Sequence, residues 1–184
     1  MHEDALAGIQ IRRARTSDVV TIRQLIDIYA PAGQLLAKAP VTLYEDIQEF
    51  LVAEVITGDA DASHEGGQVV GCGALHVMWE DLAEIRTIAV EPSWRGHGVG
   101  DRLAAGLLDN ARWLGISRVF VLTFATKFFA SHGFTSIDET PVSGEVYAQL
   151  LRSYDEGVAE FLDLERVKPN TLGNTRMLLS LKDS

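Results

Sequence analysis

The sequence lacks three features that would each point to a particular class of protein. It has a single cysteine, so no disulfide can form within the chain, and a reducing compartment fits this usage. It has no apolar run near the roughly 20 residues that a membrane-spanning helix needs. Acidic residues outnumber basic ones by 26 to 16, giving a formal net charge of −10. This balance argues against a surface for nucleic acid or anionic membrane, because both need clustered cations.

The composition is otherwise that of an ordinary folded domain. With 184 residues, of which 47% are hydrophobic and 23% charged, the chain is long enough for one domain with its own core. The acidic start of the sequence does not resemble a secretion signal, so a cytoplasmic protein is expected. We predict a flexible segment over residues 1–8 and one domain over 9–184. Cys72 lies in an apolar run and is interpreted as packing rather than as a nucleophile.

Apolar periodicity predicts a mixed α/β (α+β) domain built on one layered sheet. Capping side chains in "TSD" (16–18), and a capping box formed by Thr42 and Glu45, are expected to start the first two helices. The polar segment 57–67 is predicted to be an exposed loop. Strands are predicted at 9–14, 51–56, 68–79, 82–90, 118–124 and 174–181, and helices at 19–29, 43–50, 98–114, 127–134 and 143–154.

A glycine-rich run, "VEPSWRGHGVGDRL" (90–103), separates a predicted strand from a predicted helix. Its spacing does not match the G-x-G-x-x-G dinucleotide pattern, and no Gly-Lys-Ser/Thr follows as in nucleoside-triphosphate loops. Successive amides at the positive end of a helix dipole would still point towards one spot. The run therefore predicts a pyrophosphate site, in which Arg95 either contacts the anion or braces the loop. The alternative is a helix entry that needs small residues only for packing.

The motif Arg95-x-x-Gly98-x-Gly100 resembles the signature of the GCN5-related N-acetyltransferases. The preceding "EIRTIAV" (84–90) is similar to the fourth strand of that family, and "FFASHGF" (128–134) to its second conserved block. The resemblance implies a single-domain GNAT fold, with a mixed central sheet of about six or seven strands and helices on both faces. It also implies acetyl-CoA as co-substrate, and no metal. The residues it assigns to acetyl-CoA are Ile88, Ala89 and Val90 for the pantetheine arm, and Arg95, Gly96, His97, Gly98, Val99 and Gly100 for the pyrophosphate.

A narrower resemblance covers most of the chain. The segments "LLAKAPVTLYEDIQEF", "LTFATKFFASHGF" and "YDEGVAEFLDLERVKPNTLGNTRMLL" look like the short, stand-alone N-acetylglutamate synthases of actinobacteria. That family transfers the acetyl group of acetyl-CoA to the α-amine of L-glutamate, the first step of arginine biosynthesis, by direct attack of the amine. The sequence has no counterpart of the amino-acid-kinase domain of the longer synthases. Any control by arginine would therefore need another surface.

The predicted strand 82–90 carries the first candidates for this chemistry. Its alternation puts Glu84 and Arg86 on one face, together with Ile88 and Val90, barring a bulge. Glu84 stands where the superfamily often keeps a general base. A carboxyl of ordinary pKa near 4 is a weak base for an ammonium, so Glu84 would act through a water or from partial burial. The alternative is a structural carboxylate paired with Arg86.

Two carboxylates of glutamate would need cations. Arg86 is a candidate on geometry, and Lys38 and Arg176 are candidates by resemblance, although each could be a solvated surface cation. Thr123 matches a hydroxyl position of the longer synthases, and is either a proton relay to the departing thiolate or a partner for the backbone. A strand amide near Ile88 or Ala89 would meet the oxyanion.

Other readings of the sequence stay open at this point. The acetyl-CoA site could serve another amino acid, such as glutamine, or another small amine. A second class is a CoA-sensing module without turnover, against which Glu84 is the evidence. The expected partners are L-glutamate and acetyl-CoA, with no nucleic acid and no membrane, and a homodimer is left open.

Overall fold

The computed structural model describes residues 8–56, 67–162 and 173–181. Of the predicted flexible segment 1–8 and the predicted loop 57–67, residues 1–7 and 57–66 lie outside these ranges. The strands are β1 (Ile9–Arg13), β2 (Phe50–Val55), β3 (Gln68–Trp79), β4 (Leu82–Val90), β5 (Arg118–Thr123), β6 (Thr135–Ser136) and β7 (Thr175–Ser180). The helices are α1 (Val19–Tyr29), α2 (Pro40–Glu45), α3 (Val99–Trp113), α4 (Thr126–Ser131), α5 (Gly144–Leu150) and α6 (Glu156–Phe161).

The strands form one seven-stranded sheet in the order β1-β2-β3-β4-β5-β7-β6. β2 runs antiparallel to β1 and to β3, whereas β4 and β5 are parallel. β7 then pairs antiparallel with both β5 and β6. The sheet is therefore mixed, and the predicted α/β class and strand number are confirmed. Among the described residues, no helix has the length and apolar character needed to cross a membrane.

The chain divides into two compact units. Unit 1 comprises Met1–Leu75 and Ile85–Asn110, and unit 2 comprises His76–Glu84 and Ala111–Ser184. The boundaries fall inside β3, β4 and α3, so these elements contribute to both units.

In unit 1, helices cover both faces of the strands. On one face, Ile22 and Ile26 of α1 pack in a cluster with Val52 and Cys72 of the sheet. On the other face α3 packs closely against β3 at Gly71. A Cβ added there would lie only 3.1 Å from Leu103 Cδ1 and from Val99 Cγ1. Glycine at this position thus lets α3 sit directly on the strand.

In unit 2, α5 and α6 cover one face of β5 and β7. Phe120 of β5 is fully buried and meets the ring of Phe161 edge-on, with centroids 4.8 Å apart. Such aromatic pairs stabilise by about 0.5–1.5 kcal/mol beyond the area that they bury. The cluster also contains Leu82, Leu150, Val158 and Leu162.

The predicted start of α1 at Val19 is confirmed, but its predicted side-chain cap is not made, and the predicted start of α2 is wrong. Thr42 does not begin α2, because Ala39 is the N-cap residue and Pro40 the first helical residue. Proline suits that position, since its φ is already helical and it has no N–H to leave unpaired. The helix also ends at Glu45, and a 3-10 turn and β2 follow. Asp18 precedes α1 without capping it through its side chain.

The Asp18 carboxylate instead joins a buried charge cluster at the edge of the sheet. Arg12 donates from Nη1 to Asp18 Oδ2 at 2.8 Å and from Nε to Glu54 Oε2 at 2.9 Å. Asp18 also accepts from Arg15 N at 2.7 Å. Burial would raise the pKa of Asp18, but the Arg12 and Arg15 bonds outweigh it and lower that pKa. The same guanidinium lowers the pKa of Glu54.

Candidate active site

The loop between β4 and α3 is shaped by two glycines in left-handed conformations. Gly96 has a φ of 76° and Gly98 a φ of 74°, a region that residues with a side chain rarely occupy. A Cβ on Gly96 would meet no atom within 4 Å, so the requirement there is conformational rather than one of space. Arg102 N then donates to Gly98 O at 3.1 Å. The amides before Arg102 lie in the first turn of α3, where helix geometry provides no intrahelical acceptor.

Short-range bonds hold this loop from within. The Glu91 carboxylate accepts hydrogen bonds from both N and Oγ of Ser93, the first at 3.2 Å. His97 Nδ1 lies 3.0 Å from Arg95 O, and it carries the proton in this contact because a carbonyl can only accept. Side chains of the loop thus hold its backbone, and the predicted phosphate-binding residues 95–100 lie at the positive end of a helix dipole. Such a position suits an anion.

Arg95 is held by a residue that the sequence did not indicate. Its Nε donates to the hydroxyl of Tyr29, at the end of α1, over 3.1 Å. The Arg95 guanidinium carbon lies 5.0 Å from the centroid of the Tyr29 ring. The Tyr29 hydroxyl in turn donates to the carbonyl of Val90, the last residue of β4. Through Nε and the Tyr29 ring, Arg95 braces the loop against α1, and this role is compatible with the predicted contact of its terminal amino groups with an anion.

β4 carries an irregularity between two of the predicted site residues. Thr87 has a φ of 59°, a conformation that costs a β-branched residue energy and that often marks functional sites. Cys72 Sγ lies 3.8 Å from Thr87 O. The regular alternation predicted from Glu84 to Val90 is therefore interrupted at Thr87. Beyond it, Ala89 is buried in the cluster with α1, whereas Ile88 lies 3.2 Å from a Cβ built on Gly73.

Glu84 lies on the covered face of unit 2. It is 4% exposed and is the direct neighbour of Phe120 in the parallel pairing of β4 with β5. Directly paired residues point to the same side of a sheet, so Glu84 shares the face of Phe120. Burial is one of the means by which enzymes adapt a carboxylate to general-base catalysis.

Arg176 shares this face. It pairs with Leu122, two residues from Phe120 along β5, and its guanidinium carbon is 6.0 Å from the centroid of the Phe120 ring. Its Nη1 donates to the carbonyl of Phe161, the last residue of α6, at 2.8 Å. The predicted substrate-binding cation therefore also fastens the end of a helix to β7.

Thr123 lies on the opposite face of β5. Alternation along the strand separates it from Phe120, and it pairs with Thr175. Its Oγ1 accepts a hydrogen bond from Ala125 N at 2.8 Å. Of the two predicted roles for this hydroxyl, the bond to backbone is the one present in the structure.

The remaining predicted substrate-binding residues belong to unit 1. Arg86 is 8% exposed and lies on β4, one residue before Thr87. Lys38 is half-buried in the segment that precedes α2. Their convergence with Arg176 around one acceptor stays a prediction. No group of three or more His, Cys, Asp or Glu side chains within the described ranges is arranged to hold a metal ion.

Tyr29 contacts the candidate site, and the sequence analysis assigned it no role there. It is the last residue of the predicted helix 19–29 and falls on the apolar stripe of α1, and its ring packs against the buried cluster there. A tyrosine at the end of such a stripe also carries a hydroxyl that needs a partner when it is partly buried. That requirement was the available signal, although it does not name the partner.

Comparison with known proteins agrees with this geometry. The profile of the Acetyltransferase (GNAT) family matches residues 24–134. An amino-acid acetyltransferase of Mycobacterium tuberculosis is 60% identical over 173 residues, which cover 93% of this chain and 94% of that protein. An amino-acid acetyltransferase of Neisseria meningitidis serogroup A is 37% identical over 139 residues. These residues make up 73% of this chain but 30% of that longer protein.

Solved structures show the same relationship. A Mycobacterium tuberculosis protein in complex with CoA and NLQ superposes with a TM-score of 0.86 at 59% identity, over 94% of this chain and 99% of that one. The N-acetylglutamate synthase of Neisseria gonorrhoeae, complexed with coenzyme A and N-acetyl-glutamate, superposes with a TM-score of 0.71 at 27% identity. That alignment covers 95% of this chain and 35% of the synthase. The chain belongs to the GNAT family of acetyltransferases and, within it, to the amino-acid acetyltransferases.

Proposed function

We propose that this enzyme transfers the acetyl group of acetyl-CoA to the α-amine of L-glutamate, giving N-acetyl-L-glutamate and CoA. The observation that carries the proposal is the placement of Glu84 and Arg176 on one covered face of unit 2. A buried carboxylate suits an amine that must lose a proton, and a guanidinium suits a carboxylate of the acceptor. The relationship to a synthase solved with N-acetyl-glutamate supports the same acceptor.

The anionic part of acetyl-CoA is assigned to the loop that enters α3. The amides of residues 96–101 and the Arg95 guanidinium supply the donors for its pyrophosphate. The backbone of Ile88, Ala89 and Val90 at the end of β4 is proposed to pair with the pantetheine arm. Tight turns at Gly96 and Gly98 keep side chains away from the line of amides.

The reaction needs two proton transfers. Glu84, directly or through one water, takes a proton from the ammonium so that the nitrogen lone pair can attack the thioester carbon. The C–N bond forms as the C–S bond breaks, and an amide N–H of β4 near Ile88 or Ala89 stabilises the charge on the carbonyl oxygen. The second nitrogen proton goes to the departing thiolate.

Thr123 is the candidate carrier of a proton to the thiolate. Thr123 Oγ1 accepts from Ala125 N, which leaves its own proton available to donate. Its placement on the face of β5 opposite to Phe120 argues for a supporting role instead. A thiolate is a good leaving group and needs little acid assistance.

Arg86, Lys38 and Arg176 are proposed to bind the two carboxylates of the acceptor. An arginine offers a bidentate fork to a carboxylate, whereas a lysine offers a single point charge. A cytoplasmic location is proposed with this function, because acetyl-CoA and free glutamate meet there.

The decisive experiment measures CoA release from acetyl-CoA with a panel of acceptors. We expect turnover with L-glutamate and much less with the cationic amine spermidine, because the proposed site is rich in cations. L-Glutamine and L-aspartate test the length and charge of the second acidic group. Turnover with spermidine but none with glutamate would contradict the proposal. Faster turnover with glutamine would identify glutamine as the acceptor, with the same transfer of acetyl from acetyl-CoA to the α-amine.

A further inference from the structure

Three groups at the end of α1 form a short chain of hydrogen bonds. Arg95 Nε donates to Tyr29 Oη over 3.1 Å, and Tyr29 Oη donates to Val90 O. The direction of both bonds is fixed, because a guanidinium has no acceptor and a carbonyl has no donor. The tyrosine hydroxyl therefore donates its one proton to Val90 O and accepts a hydrogen bond from Arg95 Nε. Bonds arranged in this order polarise and strengthen one another.

The ring of Tyr29 adds a second contact to the same guanidinium. The Arg95 guanidinium carbon is 5.0 Å from the ring centroid, within the range of a cation–π interaction. The ring itself is packed against the buried cluster of α1 and the sheet. Arg95 is exposed, so without this platform its long side chain would sample many rotamers. Tyr29 thus connects an exposed cation to a rigid part of unit 1.

The backbone of Tyr29 is also engaged. Gln34 N donates to Tyr29 O at 3.2 Å, across the turn that contains Gly33. The main chain of the residue is therefore held at the point where α1 ends. Movement of the Tyr29 side chain would break its hydrogen bond to Val90 O and its packing against the buried cluster.

We propose that Tyr29 is a positioning residue for acetyl-CoA. It holds the Arg95 guanidinium through Nε and the ring, and thereby directs the two terminal amino groups of Arg95 towards a phosphate of the co-substrate. This inference rests on the proposed function, because it assumes that the α3 loop binds acetyl-CoA. The shared chemistry is a phosphate group, which belongs either to the pyrophosphate or to the ribose 3′-phosphate.

The test compares three acetyl donors in the full-length enzyme: acetyl-CoA, 3′-dephospho-acetyl-CoA and acetyl-pantetheine. For Tyr29→Phe we expect the Kd of acetyl-CoA to rise about five- to tenfold, as for the loss of one typical hydrogen bond. The Kd and KM of acetyl-pantetheine, which has neither kind of phosphate, should stay within about twofold. We expect kcat with saturating acetyl-CoA to change little, because positioning of the phosphate acts on binding.

The dephosphorylated donor separates the two phosphates. If Arg95 is directed to the pyrophosphate, 3′-dephospho-acetyl-CoA will show the same loss as acetyl-CoA. If Arg95 is directed to the 3′-phosphate, the loss will vanish with this donor. Either result supports the proposal, and each identifies a different anion.

A double-mutant cycle shows whether Tyr29 acts through Arg95. Arg95→Ala should weaken the binding of acetyl-CoA at least as much as Tyr29→Phe does. Adding Tyr29→Phe to Arg95→Ala should cause no further loss of affinity. Tyr154→Phe is the matched control, since this tyrosine is 99% exposed and should leave all constants unchanged.

Two results would overturn the inference. One is unchanged acetyl-CoA affinity in a folded Tyr29→Phe enzyme. The other is an equal loss for acetyl-CoA and acetyl-pantetheine, which would mean that Tyr29 acts through Val90 and the strand rather than through Arg95. Failure of the unaltered enzyme to bind acetyl-CoA is a different result, because it would contradict the proposed function itself.

Discussion

The two units specify their candidate sites in different ways. In unit 1, the loop before α3 is defined by backbone geometry, with left-handed glycines at positions 96 and 98 and amides in the first turn of a helix. In unit 2, the candidate chemistry depends on individual side chains, with Glu84 beside Phe120 and Arg176 over the same ring. A backbone site tolerates side-chain changes but not changes of conformation. A side-chain site fails when a single functional group is lost.

Arginine illustrates the contrast within one residue type. Arg95 and Arg176 each lie against an aromatic ring and each form a hydrogen bond with a neighbouring oxygen. Arg95 is exposed and is oriented by a hydroxyl that also bonds backbone. Arg176 is half-buried and bonds the carbonyl at the end of α6. The first is therefore free to meet an anion from solvent, and the second is also part of the architecture.

The largest effect is expected where one carboxylate is removed from unit 2. Glu84→Gln keeps the shape of the side chain but cannot accept a proton, so kcat with L-glutamate should fall by about 10²- to 10⁴-fold. The Kd of acetyl-CoA should not change, because the residues proposed to bind acetyl-CoA belong to unit 1. Single-turnover CoA release and direct binding separate these two quantities. Full turnover by the folded variant would remove Glu84 from the catalytic role.

Arg12 lies outside the candidate site and tests whether the loss of any buried charge lowers kcat as Glu84→Gln is expected to. Arg12→Met leaves Asp18 and Glu54 without their shared partner, and we expect the free energy of unfolding to fall by about 3–5 kcal/mol. Where the variant is folded, its kcat and KM should match those of the unaltered enzyme. Urea unfolding and steady-state kinetics at the same temperature provide the comparison. A selective loss of kcat would mean that this cluster belongs to the site.

The cluster of Arg12, Asp18 and Glu54 should make the free energy of unfolding fall at acidic pH. The pKa values of Asp18 and Glu54 are lower in the folded than in the unfolded protein, because both carboxylates bond Arg12. Their contribution to stability is therefore complete above the unfolded pKa values near 4, and is lost as the pH falls through the folded values. The stability difference between the unaltered protein and Arg12→Met should narrow below about pH 4. An unchanged difference would contradict the assignment.

A change of backbone conformation should act on unit 1 alone. Gly96→Ala introduces a side chain at a φ of 76°, which costs about 1 kcal/mol or more. If the strain opens the loop, the KM for acetyl-CoA should rise about tenfold. Gly144→Ala is the matched control, because a Cβ there also meets nothing within 4 Å but the residue has no positive φ. Equal behaviour of the two variants would show that the loop does not depend on its left-handed glycine.

The smallest effect is expected at Thr123. Thr123→Val removes the acceptor of Ala125 N and should lower the stability by about 1 kcal/mol. If this bond is the only role of the hydroxyl, the kcat of the variant, measured by CoA release, should stay within about twofold of the kcat of the unaltered enzyme. Thr123→Ser restores the hydroxyl and controls for packing. A drop in kcat that serine rescues would instead support the proton relay.

The sequence predicted the features that depend on chain-local rules. Two strand-like apolar runs separated by a short acidic turn located β3 and β4 correctly. The glycine spacing identified the loop before α3, because left-handed turns and helix starts are encoded within a few residues. The start of α2 was mistaken, because Pro40 and the Thr42 capping box both fit a helix start and only one of them can be used.

Features that depend on contacts distant in sequence could not be predicted in the same way. Tyr29 and Arg95 are 66 positions apart, and the sequence alone does not state that α1 ends beside the loop. Asp18 was assigned as a cap, but Arg12 attracted its carboxylate into a buried ion cluster. The break at Thr87 has no local signal either, since threonine is not a residue that favours a left-handed conformation.

The lone thiol gives the protein a built-in measure of its own opening. Cys72 has no exposed surface, and burial raises its pKa to about 12, so almost no reactive thiolate exists at neutral pH. Alkylating reagents will therefore report only those molecules in which the sheet has separated from α1. The rate of labelling reports opening events without a fluorophore or an engineered tag, and mass spectra taken over a time course rank the variants named above by it.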